Sequence, residues 1–206
     1  KKAMERDNLD VLVCRLPENV LLLSGVQPIM GWTYVYFPLD GEPSCLAPQF
    51  YADNLRENVW GYEYKTCPFA VLDAEPPYAY IRKFLKDCVK GKKFQKVGYE
   101  NNFDVVALPW NAAESAIPSE LNHEVISSVF GDEKLVDISE FINENRKCKN
   151  SYEIEKLRIA GEISAFGLEA FRNSVREGMS GIEIACEVEK AIMLKGTGYK
   201  GAVKVR

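Results

Sequence analysis

Few side chains in this sequence stand in spacings that could do chemistry, and most fall one residue short. His123-Glu124-Val-Ile-Ser127 is half of an H-E-x-x-H zinc site, in which two histidines one helical turn apart hold the metal and the glutamate acts as base. Ser127 stands where the second histidine must be, and His123 is the only histidine in the chain, so a surface or helix-cap role is expected for it. Gly196-Thr-Gly-Tyr-Lys-Gly201 spells G-x-G-x-x-G, but it follows a helical pattern instead of a strand. It therefore lacks the helix N-terminus that would meet a pyrophosphate, and reads as a loop between elements. The pairs Glu153/Glu155, Glu183/Glu187 and Glu187/Glu189 could do acid–base work only if buried together; on helices they read as solvated faces or partners of the N-terminal dipole. With one imidazole, no Ser-His-Asp or Cys-His set can be assembled. The sequence therefore offers no catalytic, metal-ligating or cofactor-binding residue.

The elements that would position a site are easier to read. At 206 residues, 47% hydrophobic and 27% charged, the composition is that of a folded globular protein of one or two domains. A formal charge of −4 argues against nucleic acid or an anionic membrane as the main partner. No run approaches the roughly 18 apolar residues of a membrane-spanning helix. The start, Lys1-Lys-Ala-Met4, has no apolar stretch behind it and so is not a signal peptide, and Met4 in fourth place suggests a trimmed N-terminus. Six scattered cysteines without a C-x-x-C pair are expected to be buried, reduced thiols of a cytosolic protein.

Along the chain, residues 1–8 read as the tail of a helix, Leu9–Cys14 as a buried strand and Val20–Leu23 as a short helix closed by Ser24-Gly25. Thr33–Phe37 and Ser44–Ala47, joined through Asp40-Gly41, carry a strong hairpin signal, with Trp32, Tyr34, Tyr36 and Phe37 as core candidates. A short helix over 48–58, a strand over 59–66, a helix over 76–90 and a strand at Val97–Glu100 follow. Residues 101–117 give no clear pattern; then come a helix over 119–130, a strand over 134–137 and a helix over 138–145. Helices interleaved with strands, with an early hairpin, predict α/β with a mixed sheet. The charged run Arg146–Asn150 predicts a domain boundary.

Beyond it stand two helices with well-marked ends. Asn150 with Glu153 predicts an N-cap, and Ile154, Leu157, Ala160, Ser164, Leu168, Phe171 and Val175 recur at steps of three or four. Gly178 is expected to stop that helix. Ser180-Gly-Ile-Glu183 is a capping box opening the next, whose stripe is Ile184, Ala185, Val188, Ala191 and Ile192, with Gly196 at its end. Two long amphipathic helices need something to cover. Only ten residues follow Gly196, so the expectation is a fragment cut just after a second domain has begun.

Leu9-Asp-Val-Leu-Val, then Pro17-Glu-Asn-Val-Leu-Leu-Leu-Ser-Gly25, resembles the opening of the creatinase/prolidase/Xaa-Pro aminopeptidase family, and Val97-Gly-Tyr-Glu100 resembles its "ile-gly-x-glu" strand. Arg146–Arg158 and Val175-Arg-Glu-Gly-Met-Ser-Gly-Ile-Glu183 resemble the two blocks that open its catalytic domain, with Gly181 where glutamate is common. The resemblance implies a three-layer creatinase N-terminal domain with a ribonuclease-H-like motif at 1–148, and the first two helices of a truncated pita-bread domain at 149–206. It implies a metal-dependent aminopeptidase or dipeptidase acting on small peptides, often with proline second. Two divalent ions (Mn, Co or Zn) would be held by two aspartates, one histidine and two glutamates, all downstream of Arg206, so this chain would itself be inactive. A cytoplasmic homodimer is implied, in which Trp32 could help close the neighbouring subunit's active site; core packing is the plainer role for Trp32. Two other readings stay open. One is a non-catalytic protein-binding module of the same fold, as in a histone-chaperone subunit. The other is a ribonuclease-H-like nuclease, which would need acidic residues converging at strand ends; Asp10 begins the first strand, and no other strand clearly supplies partners.

Overall fold

The computed structural model describes residues 1–28, 32–58, 60, 63–69, 71–72, 74–101 and 119–196. It divides into two compact units, Lys1–Asn145 and Arg146–Arg206.

The first unit is built on a six-stranded mixed sheet, order β4-β3-β2-β1-β5-β6. Its strands are β1 (Val11–Cys14), β2 (Tyr34–Pro38), β3 (Ser44–Pro48), β4 (Glu63–Cys67), β5 (Val97–Tyr99) and β6 (Leu135–Asp137). The hairpin expected from Asp40-Gly41 forms: β2 runs antiparallel to both β1 and β3, with Leu12 opposite Phe37 and Val35 opposite Cys45. The remaining pairings, β1–β5, β5–β6 and β3–β4, are parallel. Among the described helices of this unit are α1 (Lys2–Arg6), α2 (Pro17–Ser24), α3 (Ala52–Asn58), α4 (Pro77–Val89), α5 (Ser119–Phe130) and α6 (Ser139–Lys147).

Pleating sends alternate side chains to opposite faces, and β1, buried throughout, supplies two cores. Val11 and Val13 join Tyr34, Tyr36 and Leu46 under Ile81, Phe84 and Leu85 of α4 and Val125, Ile126 and Phe130 of α5. Leu12 and Cys14 point the other way, toward Met4 of α1 and Ile142 of α6, and beside them Val35, Cys45 and Ala47 pack with Val20 of α2 and Leu55 of α3. Helices thus cover both faces of the sheet. The glycine in Val97-Gly-Tyr-Glu100 lets that packing close: a Cβ on Gly98 would lie 2.5 Å from Ile138 Cγ2 and 2.9 Å from Leu12 Cδ2.

Some boundaries differ from the sequence reading. Residues 49–51 form a 3₁₀ turn before α3, and β4 begins at Glu63, later than expected; residues 59, 61 and 62 lie outside the described part. The unreadable stretch at 101–117 falls almost entirely outside it too. α6 continues through Arg146 and Lys147, residues expected to be loop.

The second unit is a helical hairpin of α7 (Ser151–Ser174) and α8 (Gly181–Gly196). The Asn150 cap forms in full: Glu153 N donates to Asn150 Oδ1 at 2.9 Å and Asn150 N to Glu153 Oε2 at 2.8 Å. Ser180 and Glu183 cap α8 in the same reciprocal way. α7 stops at Ser174, ahead of the expected Gly178. Val175 is already extended, and Gly178, at φ +89, belongs to the turn between the helices.

Candidate functional site

A buried and heavily engaged polar side chain among the described residues of the first unit is Glu100, which directly follows β5 and is 2% exposed. Its carboxylate accepts from Arg15 N at 2.7 Å, Leu16 N at 3.0 Å and Asn19 Nδ2 at 2.6 Å. Arg15 and Leu16 lead into α2, whose first-turn amides have no partner within the helix; the buried carboxylate therefore fastens the start of α2 to the end of β5. Burial pushes the Glu100 carboxyl above its ordinary range, and the bonds from Asn19, Arg15 and Leu16 oppose that shift. The same carboxylate, with burial as the larger cause, drives the Cys14 thiol well above its usual value. The junction extends further. Asn122 Nδ2 of α5 donates to the Glu100 carbonyl at 3.3 Å, and Tyr34 Oη of β2 donates to Asn122 Oδ1 at 2.7 Å.

The residues singled out from sequence go elsewhere. Trp32 is half-buried and packs against the α4/α5 side of the core. His123 Nε2 lies 2.8 Å from Asp132 Oδ1, with its ring tilted against Tyr99 at 5.6 Å, a local tie at the surface. Glu153 and Glu183 are consumed by their capping boxes, while Glu155, Glu187 and Glu189 are exposed. Asp10 Oδ2 accepts from Gln95 N at 2.6 Å and Lys96 N at 3.0 Å, so the carboxylate a nuclease would have needed braces a turn instead. Of the G-x-G-x-x-G run, only Gly196 lies within the described residues. All six cysteines are free, but Cys148 and Cys186 are exposed, which corrects the expectation that all are buried; burial raises Cys45 to about 12 and Cys67 and Cys88 each to about 11.

Sequence reasoning missed the Glu100 junction. A signal was present: Val97-Gly-Tyr-Glu100 ends an apolar strand in a lone carboxylate, and a carboxylate there must find donors. Nothing local says that Asn19 and two amides 84 and 85 residues away supply them.

The hairpin presents the other candidate surface. α7 meets α8 along Ile163 and Gly167, and a Cβ on Gly167 would stand 2.6 Å from Ile192 Cδ1. The apolar stripe read from the sequence is a different one. Leu157, Leu168, Phe171 and Val175 are 57, 71, 49 and 44% exposed. α7 thus carries two apolar faces, one closed by α8 and one open.

Two aspartates, a histidine and two glutamates are the ligand set the resemblance implies. Among the described residues no three His, Cys, Asp or Glu side chains come together to hold a metal ion, and the chain's single histidine sits against Asp132. The described residues do not fit a dinuclear centre. Among them, too, no helix is long and apolar enough to cross a membrane.

With this geometry in place, comparison with known proteins becomes specific. No protein-family model matches the chain. It is 25% identical over 181 residues to a putative dipeptidase, YkvY, of Bacillus subtilis (strain 168), an alignment covering 87% of this chain and 44% of that protein. It is 28% identical over 199 residues to the Xaa-Pro dipeptidase of Lactobacillus delbrueckii subsp. lactis, covering 92% and 49%. Among solved structures, the prolidase of Pyrococcus horikoshii OT3 superposes with a TM-score of 0.66 at 18% identity, over 95% of this chain and 47% of that one. The fold, mixed sheet and all, is that of the N-terminal half of prolidase structures. The chain is thus similar to proteins of the prolidase/Xaa-Pro dipeptidase/aminopeptidase kind and spans about half the length of the curated relatives it matches.

Proposed function

We propose that the chain is the N-terminal portion of a metal-dependent Xaa-Pro aminopeptidase or prolidase-like dipeptidase. The observation that carries this is the pair of alignments along 181 and 199 residues, to a putative dipeptidase and an Xaa-Pro dipeptidase. Residues 1–148 serve subunit association in a homodimer and gating of the active site, with Trp32 as the gating side chain. Residues 149–206 open the pita-bread domain. On this reading two divalent ions are held by a part of the full-length protein outside these 206 residues. What supports that division is that α7 keeps an apolar stripe open, where a further layer could pack. Six free cysteines support a reducing, cytoplasmic setting.

The test is hydrolysis of Xaa-Pro dipeptides by the full-length protein with and without a chelator. Metal-dependent cleavage, absent from the 206-residue chain, is expected. A full-length protein that folds, binds no divalent metal and cleaves nothing would instead favour a protein-binding module.

A further inference from the structure

The buried polar chain at Glu100 does more than fasten α2. Four residues from four places in the sequence form one line, which passes through the backbone carbonyl and the carboxylate of Glu100: Tyr34 at the start of β2, Asn122 on α5, Glu100 after β5 and Asn19 on α2. All four are at most 4% exposed. Tyr34 stands two residues after Trp32, and between them Thr33 is buried with a hydroxyl that finds no partner among the described residues. Trp32 and Leu121, the neighbour of Asn122, pack against the same apolar cluster. A phenylalanine at position 34 would fill the same apolar space. The hydroxyl therefore contributes mainly direction, since a satisfied buried polar network specifies one arrangement where apolar contacts tolerate several.

We propose that Asn122 is a positioning residue: by accepting from Tyr34 and donating to the Glu100 carbonyl, it fixes the Trp32 end of β2 relative to α2 and α5. The consequence for catalysis rests on the gating reading of Trp32 given above. A side chain that overhangs a cleft must hold its place, and small displacements of positioning groups are costly.

The experiment uses the full 206-residue chain carrying Trp60→Phe and Trp110→Phe, so that Trp32 is the sole tryptophan emitter. Asn122→Ala and Tyr34→Phe are each added, the second removing only one hydroxyl so that the fold survives. Both are expected to raise acrylamide quenching of Trp32 about twofold with an unchanged far-UV spectrum, as local loosening without global unfolding would. Quenching that stays at the parent value in the folded variants overturns the proposal, whatever happens to their melting temperature. In the full-length enzyme Asn122→Ala is then expected to raise KM for an Xaa-Pro dipeptide about fivefold with kcat near the parent value, a loss of positioning at binding. Looser Trp32 emission with unmoved KM, in an enzyme where Trp32→Ala is also silent, would sustain the positioning role and refute the gating reading. A KM that rises with Trp32→Ala but not with Asn122→Ala would overturn the positioning role in catalysis.

Discussion

A carboxylate with almost no contact with water survives only if donors replace it, and Glu100 has two backbone amides and the Asn19 amide. Glutamine at this position keeps the shape and, like the protonated carboxyl that burial favours, offers one donor and one acceptor. Glu100→Gln is therefore expected to unfold in urea within about 1 kcal/mol of the parent near the ordinary carboxylate pKa. The pH dependence has a definite sign. The folded-state pKa is raised by burial, so the stability this carboxyl contributes is full below about pH 4.3 and is lost as pH rises through the folded value. The parent should therefore lose stability relative to Glu100→Gln as pH rises toward neutral. A parent that instead gains on the variant over that range would mean that the hydrogen bonds outweigh burial.

At the scale of elements, helix ends and strand faces were legible because their causes are local. The capping residues Asn150 and Ser180, the glycine Gly25 that closes α2 and the buried apolar run of β1 each act within a few positions, and each forms as read. What was not read needed knowledge of partners. The Ile154–Val175 stripe is exposed, and α8 packs instead on Ile163 and Gly167, a seam the sequence did not announce, because only a residue without a side chain admits Ile192 at that crossing. The Glu100 junction was illegible for the same reason, its donors lying on another strand–helix connection. Two glycines of α7 separate the causes. Gly161 has nothing within 4 Å of a Cβ, so Gly161→Ala should stabilise the hairpin by about 1 kcal/mol through helix propensity. Gly167→Leu, which drives a side chain into Ile192, should destabilise it by about 1–3 kcal/mol. Hydrogen exchange of α8 amides reads both; equal effects of the two substitutions would remove Gly167 as the crossing point.

For the molecule as a whole, one surface matters most. α7 is a long helix with a capping box at its start, a seam closed by α8 and an open apolar stripe, and the relatives this chain matches are about twice its length. The proposed division of labour follows: an N-terminal unit that associates and gates, and a catalytic domain of which this chain holds only α7 and α8. Leu168, 71% exposed here, is the position that reports on it. With Cys148 and Cys186 replaced by serine, Leu168→Cys is labelled with a maleimide in the 206-residue chain and in the full-length protein under native conditions. Rapid labelling of the short chain and protection of at least about tenfold in the full-length protein are expected, as for a side chain moved from solvent into a packed interface. Equal labelling in both would mean that the stripe stays open in the complete protein, and that α7 is not the floor of a catalytic domain.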